Sequence, residues 1–202
     1  MNNKPTVFII DDDQAVLESL TLLLEQKDFA VEAFDSAEAF LAAFRPAPNS
    51  CAIVDLRMPG MDGMQLQEEL SRRRSLVPII FLTGHGDIPL SVRAIKAGAV
   101  DFLTKPVTAA VLIKKVAAAL LESKRLFSRQ NECSVAGQLA LSMTKREREV
   151  WTLIAEGLHN KEIARCLGIS HRTVETHRMR VMKKTGAENL IDLVRIYNLS
   201  QS

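Results

Sequence analysis

Short apolar runs alternate with amphipathic stretches over roughly the first 125 residues of the chain. The stretch after the first run has the i, i+3, i+4 apolar spacing of a helix, as in Val16, Leu17, Leu20 and Leu24. Strands that alternate with helices are typical of βαβ units, which form a parallel sheet covered on both faces. We therefore predict an α/β doubly wound domain with five parallel strands. The apolar runs are Thr6–Ile10, Ala30–Phe34, Cys51–Asp55, Ile79–Leu82 and Val100–Leu103, and further helices are predicted near residues 36–44, 62–73, 88–97 and 107–127.

The pattern changes after residue 127. Residues 128–142 contain Ser, Gln, Asn and Gly with weak periodicity, which predicts a linker. Beyond it every periodic stretch is helical, beginning with a capping box at Thr144 and Glu147. Asn160 is expected to cap a short helix, which Gly168 ends before a longer one starts. Two helices joined by a short turn that contains glycine predict a small all-α helix-turn-helix domain over residues 143–202, after a first domain over residues 1–127.

Composition narrows the class of protein. With 202 residues, 47% hydrophobic and 25% charged, the chain resembles an ordinary folded protein, which excludes disorder and fibrous repeats. No membrane-spanning run is visible, and residues 1–13 do not have the layout of a signal peptide. Three cysteines without CxxC spacing fit neither a disulfide framework nor a zinc site, and Cys51 and Cys166 are expected in cores. We therefore expect a reduced, cytoplasmic protein without membrane contact.

The net charge of +2 is unevenly distributed. Residues 1–127 hold 14 Lys and Arg against 16 Asp and Glu, whereas residues 128–202 hold 12 against 8. A basic part beside an acidic part raises the expectation that the basic part binds nucleic acid.

Polar side chains stand at the carboxyl ends of the predicted strands, where an open parallel sheet binds its ligands. Asp11 and Asp12 follow the first strand, Asp55 ends the third, Thr83 the fourth and Lys105 the fifth. Clustered carboxylates repel one another unless a cation lies among them, and oxygen-only ligands favour Mg²⁺. A carboxylate can also act as a nucleophile that accepts a phosphoryl group. The five residues together predict a phosphoryl-accepting aspartate with a Mg²⁺ cofactor.

The segments at these strand ends, FIIDDD, IVDLRMPGMDG, FLTGHGD and KAGAVDFLTKP, resemble the receiver domain of bacterial two-component response regulators. The resemblance covers roughly residues 5–125 and implies a flavodoxin-like fold in which Asp55 is phosphorylated. It also implies that Asp12, Asp55 and the Arg57 backbone carbonyl bind Mg²⁺ directly, whereas Asp11 acts through water.

The same resemblance assigns the residues that respond to phosphorylation. Lys105 would pair with the phosphoryl group through an ammonium next to a cis peptide at Pro106, and Thr83 would hydrogen-bond the group and shift. Phe102 stands at the aromatic switch position, and His85 is expected to line the rim of the site.

An enzyme of another class remains as the alternative. Asp11-x-Asp13 after the first strand resembles the start of a haloacid-dehalogenase-like phosphatase, with Asp11 as the nucleophile. That family's usual Thr or Val four residues later is Ala15 here, its late acidic pair is missing, and Asp55 would have no role.

The predicted recognition helix carries five Lys and Arg against one Glu between Ser170 and Lys184, which is typical of a phosphate-binding surface. A helical interaction module with solvated cations would have a similar composition. Residues 143–199, with TKREREVWTLIAEG, NKEIARCLGIS and TVETHRMRVMKKTGA, resemble the LuxR-type (NarL/FixJ) DNA-binding domain. The resemblance implies that the second helix enters the major groove, with base-facing and phosphate-facing positions at Lys161, Arg172, Thr173, Glu175, Thr176, Arg178, Met179 and Lys183. Of these, Glu175, Thr176 and Met179 would face base edges.

Together the two resemblances predict a response regulator of the NarL/FixJ family rather than an enzyme. A partner histidine kinase would phosphorylate Asp55, and the face with Val92, Ile95 and Lys96 would then form a homodimer. A dimer would bind a roughly palindromic double-stranded DNA operator, and RNA polymerase is the further expected partner.

Overall fold

The computed structural model describes residues 4–84 and 88–201, so His85 lies outside the described residues. The chain divides into two compact units, Met1–Phe127 and Ser128–Ser202. Within the described ranges, none of the helices combines the length and the apolar character needed to cross a membrane.

The N-terminal unit is built on one parallel sheet. Its strands are β1 (Thr6–Ile10), β2 (Ala30–Phe34), β3 (Ser50–Val54), β4 (Ile79–Thr83) and β5 (Asp101–Thr104), in the order β2-β1-β3-β4-β5. The helices are α1 (Gln14–Glu25), α2 (Ala37–Ala43), α3 (Gly63–Arg72), α4 (Ile88–Lys96) and the first part of α5 (Ala109–Leu141), whose residues from Ser128 onward belong to the second unit. The predicted doubly wound α/β class with five parallel strands is confirmed.

Neighbouring residues of the central strands enter two different cores. On β1, Phe8 and Ile10 pack with α2, α3 and α4, whereas Val7 and Ile9 pack with α1 and α5. All four side chains are buried, because helices cover both faces of the sheet. This double coverage explains why the strands are continuous apolar runs in the sequence.

Helix α5 is longer than the sequence pattern indicates. It continues to Leu141, so residues 128–141, which the sequence assigns to a linker, are helical. This stretch has no proline and only one glycine, Gly137, and its Gln, Glu, Arg, Ala and Leu residues favour helix. The apolar periodicity of this stretch is weak because, among the described residues, only Ala136 of residues 128–141 is buried. The sequence pattern therefore does not indicate the helix.

The C-terminal unit completes its core with helices α6 (Lys145–Ala155), α7 (Asn160–Leu167), α8 (His171–Thr185) and α9 (Leu190–Ser200). Trp151 is at the centre of this core, and its Nε1–H donates to the Leu193 carbonyl at 3.1 Å. Its ring meets that of Tyr197 edge-on, with the centroids 5.5 Å apart. The predicted capping box of Thr144 and Glu147 opens α6 as expected.

Two local predictions in this unit are wrong. The cap of α7 is His159 rather than Asn160, because the Glu162 carboxylate accepts a hydrogen bond from the His159 N–H at 2.7 Å. Cys166 is exposed rather than buried, and the residue by which α7 enters the core is Ile163. Cys51 is buried as predicted, and burial raises the pKa of its thiol to about 12.

Candidate functional site

The ends of β1, β3 and β4 bring predicted site residues to one edge of the sheet. Asp11 and Asp55 directly follow β1 and β3, and the Asp55 N–H donates to the Ile10 carbonyl at 2.8 Å. The Lys105 N–H donates to the Thr83 carbonyl, also at 2.8 Å. Asp11, Asp55 and Thr83 are 3%, 7% and 1% exposed. The parallel strands therefore hold these polar side chains together at a place that is largely shielded from solvent.

The Lys105 ammonium joins the two buried carboxylates. Its Nζ lies 2.5 Å from Asp11 Oδ2 and 3.1 Å from Asp55 Oδ1. Burial raises the pKa of Asp11, and the hydrogen bond from Lys105 opposes this rise only in part. Burial acts to lower the pKa of Lys105, but the hydrogen bonds to Asp11 and Asp55 and their charges outweigh burial and raise that pKa. Lys105 therefore stays a cation and balances the desolvated negative charge.

The donor atoms in this pocket suit a hard divalent cation. Carboxylates and a backbone carbonyl are the oxygen ligands that Mg²⁺ prefers, and Asp12 is exposed beside the buried Asp11. Across residues 4–84 and 88–201, no three carboxylate, imidazole or thiol groups already converge as a metal cage. Instead, the Lys105 ammonium lies between Asp11 and Asp55. The oxygen chemistry of the predicted ligands therefore fits Mg²⁺. In this structure the Lys105 ammonium bridges the Asp11 and Asp55 carboxylates.

The loop between β3 and α3 is hydrogen-bonded close to Asp55 at the end formed by Leu56 and Arg57, which we call its inner end. The Arg57 N–H donates to Asp55 Oδ2 at 2.7 Å, and the Gly63 N–H donates to the Leu56 carbonyl at 3.0 Å. A Cβ on Gly63 would lie 2.4 Å from the Asp55 carbonyl oxygen, so only glycine allows this approach.

Glu38 contacts the other end of this loop, formed by Gly60 and Met61, which we call its outer end. The sequence gives no reason to select this residue. The Met61 N–H donates to Glu38 Oε1 of α2 at 3.0 Å. In the sequence Glu38 is one acid on the polar side of an amphipathic stretch. No motif or spacing distinguishes it, because the contact depends on where α2 lies relative to the loop.

The predicted switch residue lies beside the predicted dimer face. Phe102 is half-buried on β5, and its ring centroid is 6.3 Å from that of Phe81. Val92 and Ile95 of α4 are each 46% exposed, and they line a depression together with Lys96 and Phe102. Exposed aliphatic side chains next to a half-buried ring form a surface that changes if the ring moves.

Helix α8 exposes the residues that are predicted to meet DNA. Val174 and Val181 are buried against α6 and α7, whereas Met179 is 69% exposed. Core packing therefore does not explain the large apolar Met179 side chain. The exposed members of the predicted DNA-binding set are Lys161, Arg172, Glu175, Thr176, Met179 and Lys183.

The side chains of the other two members, Thr173 and Arg178, already form hydrogen bonds within the domain. An Arg178 guanidinium nitrogen donates to Asn160 Oδ1 of α7 at 3.2 Å. Thr173 Oγ1 lies 2.8 Å from Ser170 Oγ, where α8 begins. Both residues therefore support the helix-turn-helix geometry in addition to any contact with DNA.

The Lys184 ammonium is paired within its own domain, although the sequence count includes it in the cationic surface. Its Nζ lies 2.7 Å from Glu147 Oε2, and the Glu147 side chain is only 4% exposed. The hydrogen bond from Lys184, with a second from the Thr144 N–H, lowers the pKa of Glu147 to about 2. The pair ties α8 to the start of α6.

Two family models match the chain. The response regulator receiver domain matches residues 7–117, and the luxR family of bacterial regulatory proteins matches residues 141–197. The chain belongs to the two-component response regulators with a LuxR-type DNA-binding domain, and it is a FixJ-like transcriptional regulator. These domains imply a histidine kinase partner and DNA binding. The phosphatase alternative finds no support, since Asp13 caps α1 through the Ala15 and Val16 N–H groups.

Similar proteins cover nearly the whole chain. The transcriptional regulatory protein FixJ of Azorhizobium caulinodans is 45% identical over 190 residues, which span 94% of this chain and 90% of that protein. The structure of the response regulator StyR is 44% identical with a TM-score of 0.81, over 96% of this chain and 98% of that one. Full-length FixJ from B. japonicum is 38% identical with a TM-score of 0.58, over 98% of both chains.

Proposed function

We propose that Asp55 accepts a phosphoryl group from a phosphohistidine of the partner kinase and thereby controls DNA binding by the C-terminal domain. The observation that carries this proposal is the buried pair of Asp11 and Asp55, bridged by Lys105 at the carboxyl edge of the sheet. We assign phosphoryl acceptance to residues 1–127, DNA binding to residues 143–202 and the connection to residues 128–142. The protein acts in the cytoplasm and is not an enzyme with turnover.

The residues around Asp55 have separate tasks in the transfer. An Asp55 carboxylate oxygen bonds to phosphorus as the phosphorus–nitrogen bond of the donor breaks, which leaves an acyl phosphate and a free imidazole. Asp12, Asp55 and the Arg57 carbonyl would hold Mg²⁺, with Asp11 acting through water, and the chemistry that the cation would supply is neutralisation of negative charge on the phosphoryl oxygens.

Lys105 and Thr83 read the new phosphoryl group. The Lys105 ammonium, which lies 3.1 Å from Asp55 Oδ1, pairs with a phosphoryl oxygen instead. The Thr83 hydroxyl then turns towards the phosphoryl group and vacates space for the half-buried ring of Phe102. Movement of this ring changes the depression lined by Val92, Ile95 and Lys96, where two receivers associate.

Dimerisation places two α8 helices on the two halves of an operator. Glu175, Thr176 and Met179 face base edges, while Lys161, Arg172, Thr173, Arg178 and Lys183 lie near phosphates. The bound dimer then acts on transcription through contact with RNA polymerase.

Binding to paired and single half-sites tests the dimerisation step. With the phosphoryl mimic beryllofluoride and Mg²⁺, we expect the affinity for a two-half-site DNA to rise at least about tenfold more than for one half-site, because the second contact becomes intramolecular. Fluorescence anisotropy with a selected operator measures both affinities. Ile95→Asp should abolish the difference, whereas Leu22→Asp, which changes an exposed leucine of α1, should preserve it. Equal gains on the two DNAs would contradict the dimer model.

Salt dependence distinguishes the phosphate contacts of α8 from its base contacts. We expect Lys183→Ala to weaken binding to every DNA and to reduce the slope of log K against log salt by about one unit. Met179→Ala should change base preference in a selection experiment with nearly the same slope, because base edges carry sequence information. Lys27→Ala removes a lysine of the N-terminal unit and serves as the charge-matched control. Unchanged base preference in Met179→Ala would show that another surface reads the bases.

A further inference from the structure

The β3–α3 loop is held at its outer end by a side chain from another helix. Glu38 lies in the first turn of α2, and its Oε1 accepts the hydrogen bond from the Met61 N–H at 3.0 Å. The two residues are 23 positions apart in the sequence. Since the acceptor is a carboxylate, this hydrogen bond is charge-assisted and stronger than one between neutral groups.

Gly60 makes room for this carboxylate. Its φ is +75°, in the left-handed region, and a Cβ there would lie 2.9 Å from Glu38 Oε1. The backbone conformation and the available space therefore both favour glycine next to Met61. Glu38 and the outer end of the loop fit each other closely.

We propose that Glu38 is a positioning residue for the Mg²⁺-binding, phosphoryl-accepting site, an inference that rests on the proposed function of Asp55. The loop carries the backbone of Arg57, whose N–H donates to Asp55 and whose carbonyl is the proposed metal ligand. The Gly63 N–H closes the inner end of the loop on the Leu56 carbonyl, and Glu38 closes the outer end. With both ends held, the Arg57 carbonyl loses less conformational entropy when it binds the cation.

A helix-stabilising role for Glu38 makes a different prediction. An acid in the first turn of a helix interacts favourably with the helix dipole, and Ser36 at the cap of α2 makes no side-chain capping hydrogen bond. The dipole interaction depends on negative charge, so it would disappear in Glu38→Gln. The hydrogen bond to Met61 needs only a side-chain oxygen, which glutamine retains.

The experiment compares three variants of the full chain. Glu38→Ala removes the acceptor, Glu38→Gln keeps an acceptor without the charge, and Glu32→Ala removes an exposed acid of β2 as the charge-matched control. Isothermal titration calorimetry measures the Mg²⁺ dissociation constant. Amide hydrogen exchange measured by NMR follows the Met61 N–H, and the rate of labelling by acetyl phosphate is recorded as a function of Mg²⁺ concentration.

In Glu38→Ala we expect the Mg²⁺ dissociation constant to rise about fivefold and the Met61 amide to exchange about tenfold faster, the size of effect that one lost hydrogen bond produces. Labelling should slow at low Mg²⁺ and recover at saturating Mg²⁺. Glu38→Gln should weaken Mg²⁺ binding by no more than about twofold, because it keeps the acceptor and loses only the charge assistance, and Glu32→Ala should match wild type.

Wild-type Mg²⁺ affinity in Glu38→Ala would overturn the positioning role, and so would equal loss in the alanine and glutamine variants. If the wild-type chain itself neither bound Mg²⁺ nor became labelled, the proposed function of Asp55 would fail instead. The two failures are therefore distinguishable.

Discussion

Asp55→Asn will not be labelled by acetyl phosphate and Mg²⁺ under conditions that label the wild-type chain completely. The substitution preserves the size of a side chain that is only 7% exposed, and its carboxamide can still accept the Arg57 N–H. A neutral carboxamide is not a carboxylate nucleophile and forms no stable acyl phosphate. Intact-protein mass spectrometry and phosphate-affinity electrophoresis measure the incorporated phosphoryl group.

A neighbouring carboxylate provides the control for this experiment. Asp13→Asn makes the same chemical change close to the site, but Asp13 caps α1 and asparagine is an equally good cap. Asp13→Asn should therefore be labelled like the wild type. Full labelling of Asp55→Asn would identify another acceptor and end the assignment of Asp55.

Glu147→Ala will destabilise the DNA-binding domain by about 3 kcal/mol at neutral pH, because it removes a buried carboxylate that accepts several hydrogen bonds and leaves the Lys184 ammonium with only the Ser142 carbonyl as its partner. The variant also loses the capping box at Thr144, since the Glu147 carboxylate accepts the Thr144 N–H at 2.8 Å. Urea unfolding followed through NMR methyl signals of Val150 and Val181 reports on this domain within the whole chain.

The destabilisation depends on pH in a definite direction. The pKa of Glu147 is about 2 in the folded protein, below its ordinary value of 4.5. The carboxylate therefore contributes its full stability above about pH 4.5, and this contribution is lost as the pH falls towards 2. The difference in unfolding free energy between wild type and Glu147→Ala should therefore decrease as the pH falls from about 4.5 towards 2. Glu188→Ala, which removes an exposed acid, should change stability by less than about 0.5 kcal/mol at any pH; an equal effect at both positions would exclude the buried pair as the cause.

The sequence was sufficient for the features that depend on local pattern and strand order. Continuous apolar runs predicted the parallel strands, and the rule that carboxyl ends of parallel strands share an edge predicted that Asp11, Asp55 and Thr83 come together. The Thr144–Glu147 capping box followed from spacing alone.

Contacts between distant segments were beyond the reach of the same reasoning. The Lys184 ammonium looked like one of several cations on a basic helix, and only the packing of α8 on α6 shows that it pairs with Glu147. The Glu38 contact with Met61 likewise depends on the position of α2 beside the loop. The sequence pattern alone does not indicate whether residues 128–141 are helical, because few of them are buried enough to give the sequence a period.

The placement of Trp151 has a practical consequence for optical spectroscopy. The chain has one tryptophan and one tyrosine, and both lie in the C-terminal unit, with their rings in edge-on contact. The N-terminal unit contains phenylalanine as its only aromatic residue type. Indole fluorescence therefore reports on the DNA-binding unit, because residues 1–127 contain neither tryptophan nor tyrosine. Tryptophan fluorescence can therefore follow the DNA-binding unit separately in the intact, unlabelled chain.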